Sequence, residues 1–372
     1  MEDNIKSNNM CETQIMNKDK LGLKKIKEFN LNKKIKSLYK FPSGHFVSIN
    51  NNKIIIWNND FNNIQEFNFE EDYKLYKENL NNIMKKKNKL IALNSDDEMS
   101  DESDNNFDNS SLGLNENLNI PNDIFLFENE HETNQNNKKD ILYIKNDDNF
   151  GIIYYNNILL YSKENNQFKL SEIIFEAHNH QINCIFFYLN KLITYSKVIK
   201  IWEKEKNKYQ CISIINLGNI IHPISIEKDN IIIALNTKIV KLNLIELKII
   251  DSFNTINNLN SKIKKICNDI YVELFQTETF IKSKKNGSII KINYEIFAIC
   301  PIKNQDFFLG GGKNNDIRFF DINNGNCFRG IVNKSKALIS GIIQLNNDSI
   351  LTYTYLGEVK IWEFDLNYKS IY

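Results

Sequence analysis

Arginine is almost missing from this chain: Arg318 and Arg329 are the only two, and every other basic residue is a lysine. With 47 basic against 46 acidic side chains the formal charge is +1. A near-neutral, arginine-poor chain lacks the clustered basic footprint of a dedicated nucleic-acid binder. None of the six cysteines (Cys11, Cys184, Cys211, Cys267, Cys300, Cys327) stands in a C-x-x-C pair. That argues against zinc and against a disulfide framework, and for a reducing compartment. No apolar run approaches the ~18 residues of a membrane helix. Met1–Lys20 is polar, without the apolar centre of a secretion signal. These absences set the expectation of a cytoplasmic or nuclear protein that binds neither nucleic acid directly nor membrane.

What the chain does contain is enough apolar material for a sizeable core, 42% against 25% charged residues. Asparagine supplies about one residue in six, far above ordinary usage. Asn, Lys and Ile share AT-rich codons, so the Asn and Lys runs are read first as genome composition.

Short β-branched and aromatic runs recur between Asn, Gly, Asp and Lys turns, whereas helical spacing is scarce. They are Lys53–Trp57, Asp123–Phe127, Ile158–Tyr161, Val198–Trp202, Lys238–Leu242, Ser288–Ile292, Asp316–Phe320 and Glu358–Trp362. Most alternate apolar with polar residues, as a strand with one buried face does. Their closing residues recur at about 40 residues, the period of a four-stranded propeller blade. The steps from Phe127 to Tyr161, Leu242 to Ile292 and Ile292 to Phe320 depart from it, leaving seven or eight blades open. A β-sandwich has no reason to repeat at this interval.

Three segments carry a resemblance to the WD40-repeat family: Leu192–Glu203, which ends Lys-Ile-Trp-Glu; Leu351–Glu363, which ends in the same four residues; and Leu309–Asp321, which ends Phe320-Asp321. They look like that family's second strand, tight turn and third strand ending in Trp-Asp. Ala177-His178 stands where the family has Gly-His. The resemblance implies an all-β, WD40-type propeller in which His, Ser/Thr, a turn Asp and Trp form a hydrogen-bonded tetrad. Carried over, one blade uses His178, Thr194 and Trp202, with Ser196 in the Asp position. The last blade uses Thr354 and Trp362, with Leu356 where Asp is usual.

The expected organisation is a disordered tail over 1–20 and a propeller over 21–372. Leu23–Asn30 is expected to add the outer strand of the last blade and close the ring; the alternative is a disordered basic tail. Asn94–Asn122, including Ser95–Asp104 with its acidic run, cannot bury enough apolar surface to offset its ordering entropy. It is expected to be a disordered insertion between the second and third strands of blade two. Ser95, Ser100 and Ser103 fit an acidophilic kinase there, and phosphates would suit docking to a basic partner. The bland alternative is a low-complexity expansion without a role. Glu130–Lys139 reads as a long loop.

Catalytic chemistry is not found in the sequence. Gly310-Gly-Gly-Lys313 has Phe307 where a P-loop needs its first Gly, and Asn314 where it needs Ser or Thr. His178 and His180 lack companions at zinc-ligand spacing, and His45, His131 and His222 form no constellation. The chain is therefore expected to be non-catalytic and to need no metal or cofactor. Resemblance points to a protein-interaction scaffold, monomeric within a larger hetero-complex, whose partners are other proteins. The alternative is a phosphoinositide-binding propeller using Arg329 in Cys327-Phe328-Arg329-Gly330. Headgroup-binding propellers carry two arginines between that Phe and Gly, and one guanidinium cannot grip two phosphate sites.

Overall fold

Alternating Ile, Val, Phe and Tyr pair into seven antiparallel four-stranded sheets, each built from strands consecutive in sequence except one. The computed structural model describes residues 16–95 and 142–366, apart from gaps at 17, 51, 207, 219, 228, 236, 256–261, 268, 276–277, 313, 334 and 336. Blade I holds β2 (Ser37–Lys40), β3 (Phe46–Asn50), β4 (Lys53–Trp57) and β5 (Asn63–Asn68). Blade II holds β6 (Leu142–Asn146), β7 (Asn149–Tyr154), β8 (Asn157–Glu164) and β9 (Gln167–Ile174). Blade III holds β10 (Cys184–Tyr188), β11 (Lys191–Tyr195), β12 (Ile199–Glu205) and β13 (Lys208–Ile215). Blade IV holds β14 (Ile220–Glu227), β15 (Asn230–Leu235), β16 (Lys238–Asn243) and β17 (Lys248–Asn254). Blade V holds β18 (Lys262–Cys267), β19 (Ile270–Phe275), β20 (Glu278–Ser283) and β21 (Ile289–Ile292). Blade VI holds β22 (Ile296–Pro301), β23 (Phe307–Gly312), β24 (Asp316–Asp321) and β25 (Cys327–Val332). Blade VII holds β26 (Ile339–Gln344), β27 (Ser349–Thr354) and β28 (Glu358–Asp365), and takes its fourth strand from β1 (Gly22–Asn30).

The first strands of neighbouring blades approach one another, β6 with β10, β14 with β18, β18 with β22, β22 with β26 and β26 with β2. They form the inside of a ring, and the molecule is a seven-bladed β-propeller. The ring is closed by β1, whose register on β28 runs from Gly22 opposite Asp365 to Asn30 opposite Glu358. Lone blades cannot bury both faces, so the core lies between blades. Trp362 and Ile339 of blade VII pack with Phe307 and Phe319 of blade VI, and Trp57 of blade I packs with Leu351 of blade VII. Between blades I and II aromatic rings do this work: Phe41, Phe150 and Phe168 meet at centroid distances of 5.0 to 6.3 Å.

One irregularity repeats. In six blades the outer strand bulges by one residue beside the closing residue of the third strand, at Ile26, Ile64, Ser171, Ile212, Ile250 and Phe328. A bulge re-aims a side chain, and Ile26, Ile64, Ile212 and Ile250 are consequently exposed.

Four expectations need correction. Ser288–Ile292, counted among the runs whose closing residues set the period, is the fourth strand β21, and the third strand of that blade is β20. With Lys282 as the closing residue of blade V, the step returns to about 40 residues on both sides. Helical spacing reads as scarce, yet the residues leading into the insertion form helix α1 (Phe69–Ser95), 27 residues long. The insertion accordingly lies between blades I and II rather than inside a hairpin of blade two. The structured chain also begins before residue 21: Met16 donates its N–H to Gln305 Oε1 at 3.1 Å, and Lys18 reaches Asp306 and Asp321 at 2.5 Å each. Asp123–Phe127, Glu130–Lys139 and nearly all of Asn94–Asn122 lie outside the described residues.

Beyond Phe69, helix α1 belongs to a second unit, Glu70–Lys139. Its first turn carries Glu70, Glu71 and Asp72, which suits the positive end of the helix dipole. Among the described residues no helix is long and apolar enough to cross a membrane.

Candidate interaction surface

A docking surface is only as defined as the blades beneath it. On β12, Trp202 lies opposite Leu192, and Thr194 is two residues further along β11. The Trp202 indole N–H donates to Thr194 Oγ1 at 2.8 Å, and His178 Nε2 meets the same oxygen at 2.7 Å. The structure thus brings His178, Thr194 and Trp202 together, all three buried. Burial, with Lys200 and His180 nearby, pushes the His178 imidazole down to about 4. Ser196, in the next turn, is also buried.

The same pairing recurs wherever Trp closes a third strand. Trp57 donates to Ser48 Oγ at 2.8 Å, and Trp362 donates to Thr352 Oγ1 at 3.0 Å. Thr354 is therefore not the partner of Trp362. Ile350 lies opposite Trp362, so the hydroxyl two residues on is Thr352; Thr354 instead accepts the Glu358 N–H at 3.3 Å. Leu356 is exposed in the turn that follows. Ser48 was legible in principle, since it lies nine residues before its Trp across a tight hairpin.

Blade VI solves the same position differently. Phe320 replaces Trp and Gly310 replaces the hydroxyl residue; a Cβ at Gly310 would lie 2.8 Å from the Phe320 ring. Asp321 follows and pairs with Lys18. Burial opposes ionisation of Asp321, but Lys18 and the Asn323 N–H hold its carboxyl below the usual range. The glycines of Gly310-Gly-Gly end β23 inside this packing. Arg329 sits half-buried on β25 opposite Phe319, whereas Arg318 lies opposite Gly330. The two arginines therefore face opposite sides of the sheet. Arg318 is held by Asp316 at 2.7 Å and stacks 3.6 Å above the centre of the Tyr294 ring. Ser95 ends helix α1, and Ser100, Ser103 and His131 lie outside the described residues. His45 meets Ser43 Oγ at 3.0 Å, and His180 is exposed. Among the described residues no three His, Cys, Asp or Glu side chains gather as metal ligands would.

One rim of the propeller carries the turns joining first to second and third to fourth strands. There, at blades III and IV, lie the two most exposed large apolar side chains among the described residues, Leu189 at 75% and Ile245 at 68%. The residues preceding them are linked by hydrogen bonds through Asp229. Tyr188, next to Leu189, donates its hydroxyl to Asp229 Oδ1, and the Asp229 carbonyl accepts the N–H of Leu244 at 2.7 Å. The Asp229 carboxylate holds the Tyr188 hydroxyl above its ordinary range. Leu189 and Leu247 both adopt left-handed backbone angles, φ 52° and 55°, at a cost of about 1–3 kcal/mol each for such conformations. Asn or Gly would take these turns more cheaply. Sequence reading missed this patch, because single leucines in polar turns carry no periodic signal.

No protein-family model matches the chain, and no curated protein matches its sequence.

Proposed function

We propose that this chain is a non-catalytic protein-interaction scaffold, a WD40-type propeller working as a subunit or adaptor of a larger complex, and that partners dock on the rim at Leu189 and Ile245. One observation carries the reading. Leu189 is three-quarters exposed and held in a left-handed turn. It gains nothing there from burial, and its backbone is strained. Exposed apolar patches of this kind mark contact sites, and a rim already set in shape spends little ordering entropy on association. The WD40 affinity is supported by the three Trp–hydroxyl pairs and by His178 joining one of them. The charge balance of +1 supports proteins rather than nucleic acid as partners.

The test compares wild type with the double variant Leu189→Asn/Ile245→Asn in quantitative affinity purification from the native cell. The variant should fold normally and lose at least one partner. Recovery of the same partners at equal yield would sink the reading.

A further inference from the structure

Each blade ends in an outer strand that pairs with a neighbour on one side alone. Such an edge keeps main-chain N–H and C=O groups able to take a further strand, and charged side chains on it are the usual guard against that. Six of the seven outer strands are guarded within the strand, by Lys25, Glu66, Glu172, Asp251, Lys291 and Arg329. The outer strand of blade III is not. β13 reads Lys-Tyr-Gln-Cys-Ile-Ser-Ile-Ile, with its one charge at the first residue. Along it Ile212 and Ile214 stand 44% and 61% exposed, and Gln210 and Cys211 are exposed beside them.

Side chains from a neighbouring blade cover part of this circumference. Gln65 of blade I accepts the Phe168 N–H at 2.9 Å and donates to the Phe168 carbonyl at 2.8 Å, as a further strand would on β9. Glu172 of blade II accepts the Tyr209 N–H at 2.9 Å, which covers the start of β13. Over residues 210–215, among the described residues, the one side-chain bond to this main chain is a 3.5 Å contact from Cys211 Sγ to the Ser213 carbonyl. A strand laid here must be β-prone and must set no charge against Ile212 and Ile214, since an unpaired charge buried there is destabilising. A second β13 meets both demands. In an antiparallel pair of two such strands the Lys208 side chains lie at opposite ends, whereas a parallel, in-register pair would set them against each other.

We propose that residues 210–215 form the contact between two copies of this chain, in which their β13 strands pair antiparallel about a two-fold axis and join the two blades III into one continuous sheet. An isologous contact of this kind closes after two copies, so the unguarded edge does not propagate into a fibre. A contact this short lies at the small end of specific interfaces, so the dimer is weak and forms with rising concentration. It departs from the monomer that the resemblance implied. It does not depend on the Leu189 patch, which lies on the rim rather than on the outer edge.

Analytical ultracentrifugation of the full-length protein, kept reduced so that the exposed Cys211 and Cys327 form no disulfide, should show monomer passing to dimer as concentration rises. Ile212→Lys/Ile214→Lys should weaken the dimer about tenfold or more, because like charges would face one another across the axis. Ile64→Lys, at the bulge of β5 where the side chain is 51% exposed, should leave it unchanged. Hydrogen exchange on the wild type gives a second reading that needs no variant: amides within 210–215 should gain protection with concentration, and those of the other outer strands should not. A protein that stays monomeric throughout, a dimer that the double lysine variant leaves intact, growth into open higher oligomers, or protection that appears on another strand overturns the proposal.

Discussion

Trp362 donates its indole N–H to Thr352, ten residues back on the neighbouring strand, at 3.0 Å. Thr352 sits two residues beyond Ile350, the residue facing Trp362, and the same offset relates Trp202 to Thr194 and Trp57 to Ser48. The hydroxyl is reached because successive side chains on a strand point to opposite faces, so the next one on the Trp side lies two positions along.

Thr352→Val should leave a buried indole N–H without an acceptor and cost about 1–3 kcal/mol. Thr354→Val, which loses only a 3.3 Å contact to the Glu358 N–H, should cost less. Trp202→Ala and Trp362→Ala should each cost about 3–5 kcal/mol. Urea unfolding at neutral pH ranks the four; a larger loss for Thr354→Val than for Thr352→Val would refute the assigned register.

Acid should weaken the protein through His178. Its imidazole titrates at about 4 in the fold and near ~6.5 when unfolded. Its neutral form is therefore favoured by folding. The contribution is complete above the unfolded value and is lost as pH falls from there through about 4. Stability measured from pH 7 to pH 4 should decline less in His178→Gln than in wild type; parallel declines would remove His178 as the cause.

Gly310→Ala should destabilise blade VI by about 1–3 kcal/mol through overpacking, because its Cβ would meet the Phe320 ring at 2.8 Å and Ile296 at 3.1 Å. Pairing it with Phe320→Leu should recover part of the loss. Additive losses in the double variant would show that the two residues do not share this space.

Lys18→Ala should loosen the segment ahead of β1. Lys18 bridges Asp306 and Asp321 in a partly exposed setting, so the loss should be no more than about 1 kcal/mol and should shrink at high salt. Hydrogen exchange at residues 18–22 reads it directly; unchanged protection there would show that the ion pairs do not hold the segment.

Leu189→Asn should leave stability unchanged or raise it by up to about 1 kcal/mol, since Asn tolerates the left-handed turn. A marked loss of stability would mean that Leu189 is a packing residue rather than a docking one.

The ring and its closure were legible before any coordinates. Lys53–Trp57 coincides with β4, Lys238–Leu242 lies within β16, and Leu23–Asn30 is the closing strand β1. Other readings failed for identifiable reasons. Helix α1 was hidden because Phe69, Tyr73, Tyr76 and Leu80 keep helical spacing only amid Lys and Asn that resemble the rest of the chain. Blade V has Lys282 where other blades place a large apolar residue, so its third strand carries a weaker apolar signal than the neighbouring run Ser288–Ile292.

By itself the order of residues determined strand-length apolar alternation, the repeat near 40 residues, and the tryptophans that close three blades. Both of the first two are local periodicities, and periodicity survives without coordinates. Which hydroxyl meets Trp362 and which leucine stands in solvent under strain were decided only by tertiary structure. Each depends on register between strands or on contact between blades, where residues far apart in sequence become neighbours.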